Sequence, residues 1–259
     1  MMDLETIRSL APSELRTGRF DKSLLKEYVE TLALNWLVSS KWAAHLAFIG
    51  GTNLRLVRGI DRFSEDLDFD VKSLTPAAFT EMTDGLIRYL GLNGLPAVAK
   101  ARESDRLSAW RRSVQFPGLL NDLGLSPFKD ERFLMKIEFQ DQGSPYVREM
   151  AAVSRFGLFF QTPVPPLPVL CAMKLSALLT RAKGRDFYDA MFLLPQTEPD
   201  YAFLAPRHGI VDKAALKAAL LAKAAEANLP NKVRDVRHLL FRSEAGEKIL
   251  EFEAFIRDW

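Results

Sequence analysis

A single cysteine, Cys171, and three histidines are all that this 259-residue chain offers for sulfur or imidazole chemistry. One cysteine excludes an internal disulfide and a cysteine-built zinc site, and its place in the apolar run VLCAMKL predicts a buried, structural thiol. His45, His208 and His238 lack the spacing of metal ligands and are read as incidental. No run of about 18 apolar residues is uninterrupted, which excludes a purely apolar membrane helix. The first residues, MMDLETIRSL, carry acid at Asp3 and Glu5 and hold no apolar core of signal-peptide length. The expectation is a cytoplasmic protein with no membrane partner. Charge of one sign is also lacking: 35 basic residues face 33 acidic ones, a net +2, so any basic surface for nucleic acid must be local. Internal repeats and low-complexity tracts are absent.

What is there suffices for a sizeable core. At 48% hydrophobic the chain can build one large domain or two small ones. Residues 22–46 place Leu25, Val29, Leu32 and Trp36 at helical spacing. His45 to Ile49 then reads as a short buried strand, Gly50 and Gly51 break it, and Asn53 to Val57 opens a helix. From Asp66 the period becomes two, with Asp66, Asp68 and Asp70 on one strand face and Leu67, Phe69 and Val71 on the other. The stretch FLMKIEFQ repeats that rhythm, with Phe133, Met135, Ile137 and Phe139 opposite Lys136, Glu138 and Gln140. A helix is expected over residues 76–90, and the charged stretch that follows, with Arg102, Arg106, Arg111 and Arg112, receives no firm assignment. The proline-rich run QTPVPPLPVL is expected to act as a boundary, because proline lacks the donor a helix interior needs. Beyond it, helical periodicity marks residues 172–182, 186–194, 213–228 and 244–257.

The stretch FIGGTNLRLVRGIDRFSEDLDFDV combines two chemical signals. A glycine turn at a helix start lets backbone N–H groups approach a phosphate, and the helix dipole adds positive charge there. Three aspartates on one strand face repel one another, so that face is either fully solvated or used. Asp66 and Asp68, one residue apart, can share a divalent ion in the hard-oxygen arrangement that Mg2+ takes beside substrate phosphates. An ordinary turn followed by a charged edge strand is the competing account.

Gly50-Gly51-Thr52, a spacer and Asp66-Leu67-Asp68-Phe69 together resemble the signature of the polymerase-β-like nucleotidyltransferases. More specifically, GGTNLRLVRGIDRFSEDLDF with MKLSALLTRAKGRDFYDAMFLL resembles the AbiEii/AbiGii toxin family, the nucleotidyltransferase half of abortive-infection toxin–antitoxin pairs. The resemblance implies an α/β fold: a polymerase-β-like nucleotidyltransferase core with a small mixed sheet and N-terminal helices over residues 1–160, and a helical C-terminal domain over residues 161–259. It implies Mg2+, or Mn2+, on Asp66 and Asp68, with the nucleoside triphosphate at the turn of Gly50, Gly51 and Thr52. In such folds a third metal carboxylate comes from a neighbouring strand, and Glu138 is the candidate. Lys174 matches the family's helix lysine, expected on the nucleotide phosphates, and Asp186 matches the acidic residue of its RD segment. Arg62 falls in the family's Arg-x-Ser-x-Asp-x-Asp run and is assigned to the nucleotide. Ser64, in the same run, is a possible regulatory phosphorylation site, since a phosphate there puts negative charge beside the metal.

The implied activity is Mg2+-dependent transfer of an NMP from an NTP to an RNA acceptor, tRNA first among the candidates, by a toxin with a cognate antitoxin. Two other accounts stay open: a nucleotide- or antitoxin-binding protein without catalysis, and a nucleotidyltransferase acting on a small molecule. Cation clusters at Arg55/Arg58/Arg62, at Arg102 to Arg112 and at Arg181/Lys183/Arg185 suit a phosphate backbone. Each can equally be a solvated face, and Arg185 with Asp189 reads as an ordinary i,i+4 pair. Lys174, Arg181 and Arg185 would share one face of an unbroken helix, which Gly184 can interrupt.

Overall fold

The computed structural model describes residues 3–100 and 110–259, so Arg102 and Arg106 lie outside the described residues. The chain divides into two compact units. The first comprises Met1–Gly59, Phe63–Gly143 and Arg148–Val164; the second comprises Ile60–Arg62, Ser144–Val147 and Pro165–Trp259.

The first unit opens with α1 (Leu4–Leu10), whose N-terminus is capped by the Asp3 carboxylate accepting from the Thr6 N–H. Its central helix is α2 (Asp21–Ser39), which buries Leu24, Leu25, Val29, Leu34 and Leu37 completely. This helix ends well before residue 46: Ser40 turns extended and its hydroxyl donates to the Leu37 carbonyl, a local bond that competes with further helix. There follow β1 (Leu46–Ile49), α3 (Gly50–Leu56), β2 (Asp66–Val71), α4 (Pro76–Leu92), β3 (Val98–Ala99), β4 (Trp110–Gln115), α5 (Leu119–Asp122), β5 (Leu134–Gln140), β6 (Glu149–Arg155) and β7 (Leu158–Val164).

Five strands form a mixed sheet in the order β1-β2-β5-β4-β3, with β2 and β5 parallel and the other neighbours antiparallel. Strands β6 and β7 pair separately as a hairpin. Aromatic residues set the register of the mixed sheet. Phe48 on β1 lies opposite Phe69 on β2, and Phe69 opposite Phe139 on β5, where the two rings stack at 5.1 Å. Phe79 of α4 meets Phe139 edge-on at 5.3 Å, closing this face over the sheet. Side chains alternate along a strand, so a register pinned by phenylalanines on one face aligns Asp68 with Glu138 on the other.

The second unit is built from α6 (Leu167–Arg181), α7 (Gly184–Leu193), α8 (Tyr201–His208), α9 (Lys213–Glu226), α10 (Leu229–Val236) and α11 (Phe252–Asp258). Helix α6 starts inside the proline run, five residues before the periodicity suggests. Pro166 is its N-cap and Pro168 lies in the first turn, where the missing donor costs nothing. Ala182 ends α6 in a left-handed conformation, φ +48°, and α7 begins at Gly184. Arg185 therefore does not continue the helix face of Lys174 and Arg181. Gly184 is demanded by packing, since a Cβ there would lie 2.0 Å from the Lys232 carbonyl oxygen of α10. Cys171 is fully buried in α6, and burial pushes its thiol up to about 12, as an inert core thiol requires. Among the described residues, no helix is long and apolar enough to cross a membrane.

Candidate active site

In the first unit the site grows from the junction of β1 with α3. Gly50 has φ +81°, and a Cβ on it would lie 2.1 Å from the Asp68 carboxylate oxygen. Glycine is thus required twice, for the backbone angle and for the approach of the turn to the carboxylate. The cause is register, because Ile49, the last residue of β1, pairs with Asp68. Two side chains of α3 lock this arrangement. The Thr52 hydroxyl donates to the Asp66 carbonyl at 2.6 Å, and the Asn53 amide donates to the Phe48 carbonyl at 2.7 Å. Asp66 and Asp68 are both part-exposed on one face of β2, while Asp70 is buried and accepts from the Gln142 N–H at 2.8 Å.

Glu138 is in register with Asp68, yet its carboxylate is held by Arg111, directly across on β4, at 2.7 and 3.1 Å. Among the described residues no group of three or more His, Cys, Asp or Glu side chains is placed to hold a metal, so Glu138 is not gathered with Asp66 and Asp68. The pair of aspartates fits a divalent ion by donor chemistry: two hard oxygens on one part-exposed face leave room for water or phosphate ligands. Ser64, two residues before Asp66, is part-exposed.

Several cations read from the sequence as phosphate contacts are engaged internally. Arg55 is buried and donates to Glu27 of α2 at 2.7 Å, and Arg155 of β6 binds the other oxygen of the same carboxylate at 2.7 Å. Arg112 pairs with Asp84.

In the second unit the cluster centres on Asp189, whose i,i+4 spacing would pair it with Arg185. Asp189 of α7 is fully buried and instead receives Arg62, Nε to Oδ1 and Nη2 to Oδ2, both at 2.7 Å. Lys174 of α6 reaches the same carboxylate at 3.0 Å. Burial alone would raise the Asp189 carboxyl, and the two cations overcome this and hold it below its ordinary value. Burial likewise lowers the Lys174 ammonium, with Asp189 opposing. Asp186 takes a different role: it binds Arg181 at 2.9 and 3.0 Å and accepts from the Lys183 N–H, capping α7. The buried Asp189 carried one legible signal, its position three residues after Asp186 on the face of α7 that also buries Phe187 and Ala190.

The segment Ile60–Arg62 is fixed inside this unit by more than its ion pair. Arg62 bridges Leu240, the Phe241 N–H donates to the Asp61 carbonyl, and the Tyr188 hydroxyl donates to the Asp61 carboxylate at 2.8 Å.

A family model for the nucleotidyl transferase AbiEii toxin of type IV toxin–antitoxin systems matches residues 32–258. The chain belongs to the AbiEii nucleotidyltransferase toxin family. It is a nucleotidyltransferase of a toxin–antitoxin system, with a nucleotide substrate and an antitoxin partner, and such enzymes generally use divalent metal ions. No functionally curated protein matches the sequence significantly. Among solved structures, the chain is similar to MenT4, the nucleotidyltransferase toxin Rv2826c of Mycobacterium tuberculosis H37Rv. The TM-score is 0.60 at 17% identity, over 100% of this chain and 91% of that one. It is also similar to JHP933 from Helicobacter pylori, with TM-score 0.54 and 19% identity over 91% of this chain and 90% of that one. At these identities the likeness establishes the α/β nucleotidyltransferase-toxin fold, and the AbiEii match carries the family.

Proposed function

We propose that this AbiEii protein transfers an NMP from an NTP to an RNA acceptor, of the tRNA class, with Mg2+ as the divalent ion. The observation that carries the reading is the approach of the Gly50 turn to Asp68: a glycine helix start brought against a carboxylate pair suits a metal-bound triphosphate. In the reaction the acceptor hydroxyl oxygen bonds to the α-phosphorus, the bond from the α-phosphorus to the bridging oxygen breaks, pyrophosphate leaves, and the hydroxyl proton passes to solvent or a nearby carboxylate. Asp66 and Asp68 would hold a divalent ion, which would supply charge neutralisation for the phosphates. Gly50 and Gly51 give the phosphates close access to backbone donors. Lys174 offers its ammonium to the nucleotide phosphates, and Asp189 with Arg62 sets its position.

Glu138 and Asp186 stand one step away in this reading. Glu138 becomes a metal carboxylate only on leaving Arg111, and Asp186 supports the fold of α7 that carries Asp189. Family membership supports the RNA acceptor more strongly than charge does, because Arg55, Arg62, Arg111, Arg112 and Arg181 are all in ion pairs. Incubating the protein with each α-labelled NTP, Mg2+ and total cellular RNA tests the reading. Label on tRNA-sized RNA is expected, lost when Mg2+ is chelated. Label on a small metabolite with RNA untouched would replace the RNA acceptor, and label nowhere with an intact fold would favour a binding protein.

A further inference from the structure

Lys248 lies outside both motif blocks, in the 3-10 segment Ser243–Glu251, yet its surroundings are built rather than incidental. Its ammonium sits 3.6 Å from the centroid of the Tyr188 ring. That ring is itself immobilised: Tyr188 is fully buried and its hydroxyl is committed to Asp61. Such a seat holds the cation in one place on the polar-facing π surface.

The charges around it are unbalanced. Asp61 and Asp189 both act on Lys248 electrostatically. Neither pairs with it: the Asp61 carboxylate accepts from Tyr188, and the Asp189 oxygens are taken by Arg62 and Lys174. Among the described residues Lys248 makes no ion pair, and Asp186, which also acts on Lys174, is committed to Arg181, so Arg62, Lys174 and Lys248 face Asp61 and Asp189 with an excess of positive charge. Arg242 adds to it, acting on the same Tyr188 hydroxyl. Partial burial disfavours the Lys248 ammonium, as it does that of Lys174, so both gain from an arriving anion. A lysine kept for packing alone would need neither the locked ring nor the surplus charge.

We propose that Lys248 is a second phosphate-binding cation of this nucleotidyltransferase, acting beside Lys174 on the polyphosphate chain of the nucleotide. The proposal rests on the reading that Lys174 contacts those phosphates. Lys174 is partly neutralised by Asp189, whereas Lys248 brings an unspent charge, and two ammonium groups match a chain carrying several negative charges.

The test uses inorganic tripolyphosphate, which removes the unknown base from the question, in calorimetric titrations of the full chain with Mg2+ present. Lys248→Met keeps the aliphatic stem over Tyr188 and removes the charge; it should weaken tripolyphosphate binding about tenfold with an unchanged melting temperature. Lys248→Arg should stay within about threefold of the parent, which a packing role would not require. Lys174→Met is the control. If Lys174→Met loses binding and Lys248→Met does not, this inference fails and the Lys174 reading stands. If neither variant loses binding, the phosphate reading of the whole cluster fails with it. If Lys248→Met weakens RNA binding alone, the lysine serves the acceptor and the proposal is overturned.

Discussion

Arg62 and Asp189, 127 residues apart in the chain, meet in a two-point ion pair with both contacts at 2.7 Å, at 1% and 0% side-chain exposure. The pair ties Ile60–Arg62 to α7, whose Asp189 also receives Lys174, all within the second unit. A guanidinium and an ammonium on one buried carboxylate are stable only while that carboxylate remains. Asp189→Ala should therefore cost about 3–5 kcal/mol in urea unfolding, the scale for stranding a buried charge. Arg62→Met added to Asp189→Ala should recover part of that loss. Equal stability of Asp189→Ala and the parent would show that the cluster is not what holds these elements.

Gly50→Ala is expected to act at two levels. The substitution forces a side chain into φ +81° and toward the Asp68 carboxylate, which must move. Strain of this kind costs about 1–3 kcal/mol, and displacement of Asp68 should reduce nucleotide transfer at least a hundredfold. Gly59, with φ +78° and open space where a Cβ would be, is the matched control, since Gly59→Ala carries strain without the collision. Similar activity losses in the two variants would detach the Gly50 turn from the chemistry.

Asp66→Ala or Asp68→Ala should abolish transfer while the protein stays folded, because both side chains are part-exposed on one face of β2 and lie outside the apolar core. Calorimetric Mg2+ or Mn2+ titrations of each variant should lose the binding seen in the parent. Retained transfer with normal metal dependence in either variant would refute the carboxylate assignment.

Glu30 of α2 yields a pH prediction. It is 1% exposed, and among the described residues its Oε1 atom has no hydrogen-bond partner. Burial raises its carboxyl well above the ordinary value, with Glu27, Asp66 and Glu65 adding to the rise and Lys26 opposing it. The native chain then holds this proton more tightly than the unfolded chain. Its contribution is full below the ordinary carboxylate pKa of about 4.3 and is lost as pH rises through the raised native value. Glu30→Gln should melt higher than the parent in alkaline buffer, and the gap should close toward pH 4. Parallel melting curves for the two proteins across that range would contradict the assignment.

Residue order made the β2 chemistry legible. Alternation of Asp66, Leu67, Asp68 and Phe69 assigns each side chain to a face whatever the strand's neighbours, and a glycine pair before a helix marks a turn in any context. Strand β4 stayed hidden because Arg111 and Arg112 disguise the alternation of Trp110 to Gln115 as a solvated charge run. The hairpin of β6 and β7 was equally unread, since its exposed face is as apolar at Met150 and Phe159 as a core face would be.

Spacing along a chain dictates faces and turns, because those follow from the local geometry of the backbone. Which opposite charges meet is decided by packing: Arg55 found Glu27, Arg111 found Glu138, and Asp189 took Arg62 and Lys174 in place of Arg185. A charge run read in order therefore looks free when it is not. An ion pair depends on a few ångströms of three-dimensional distance, and only the assembled elements bring residues as far apart as Arg62 and Asp189 within it.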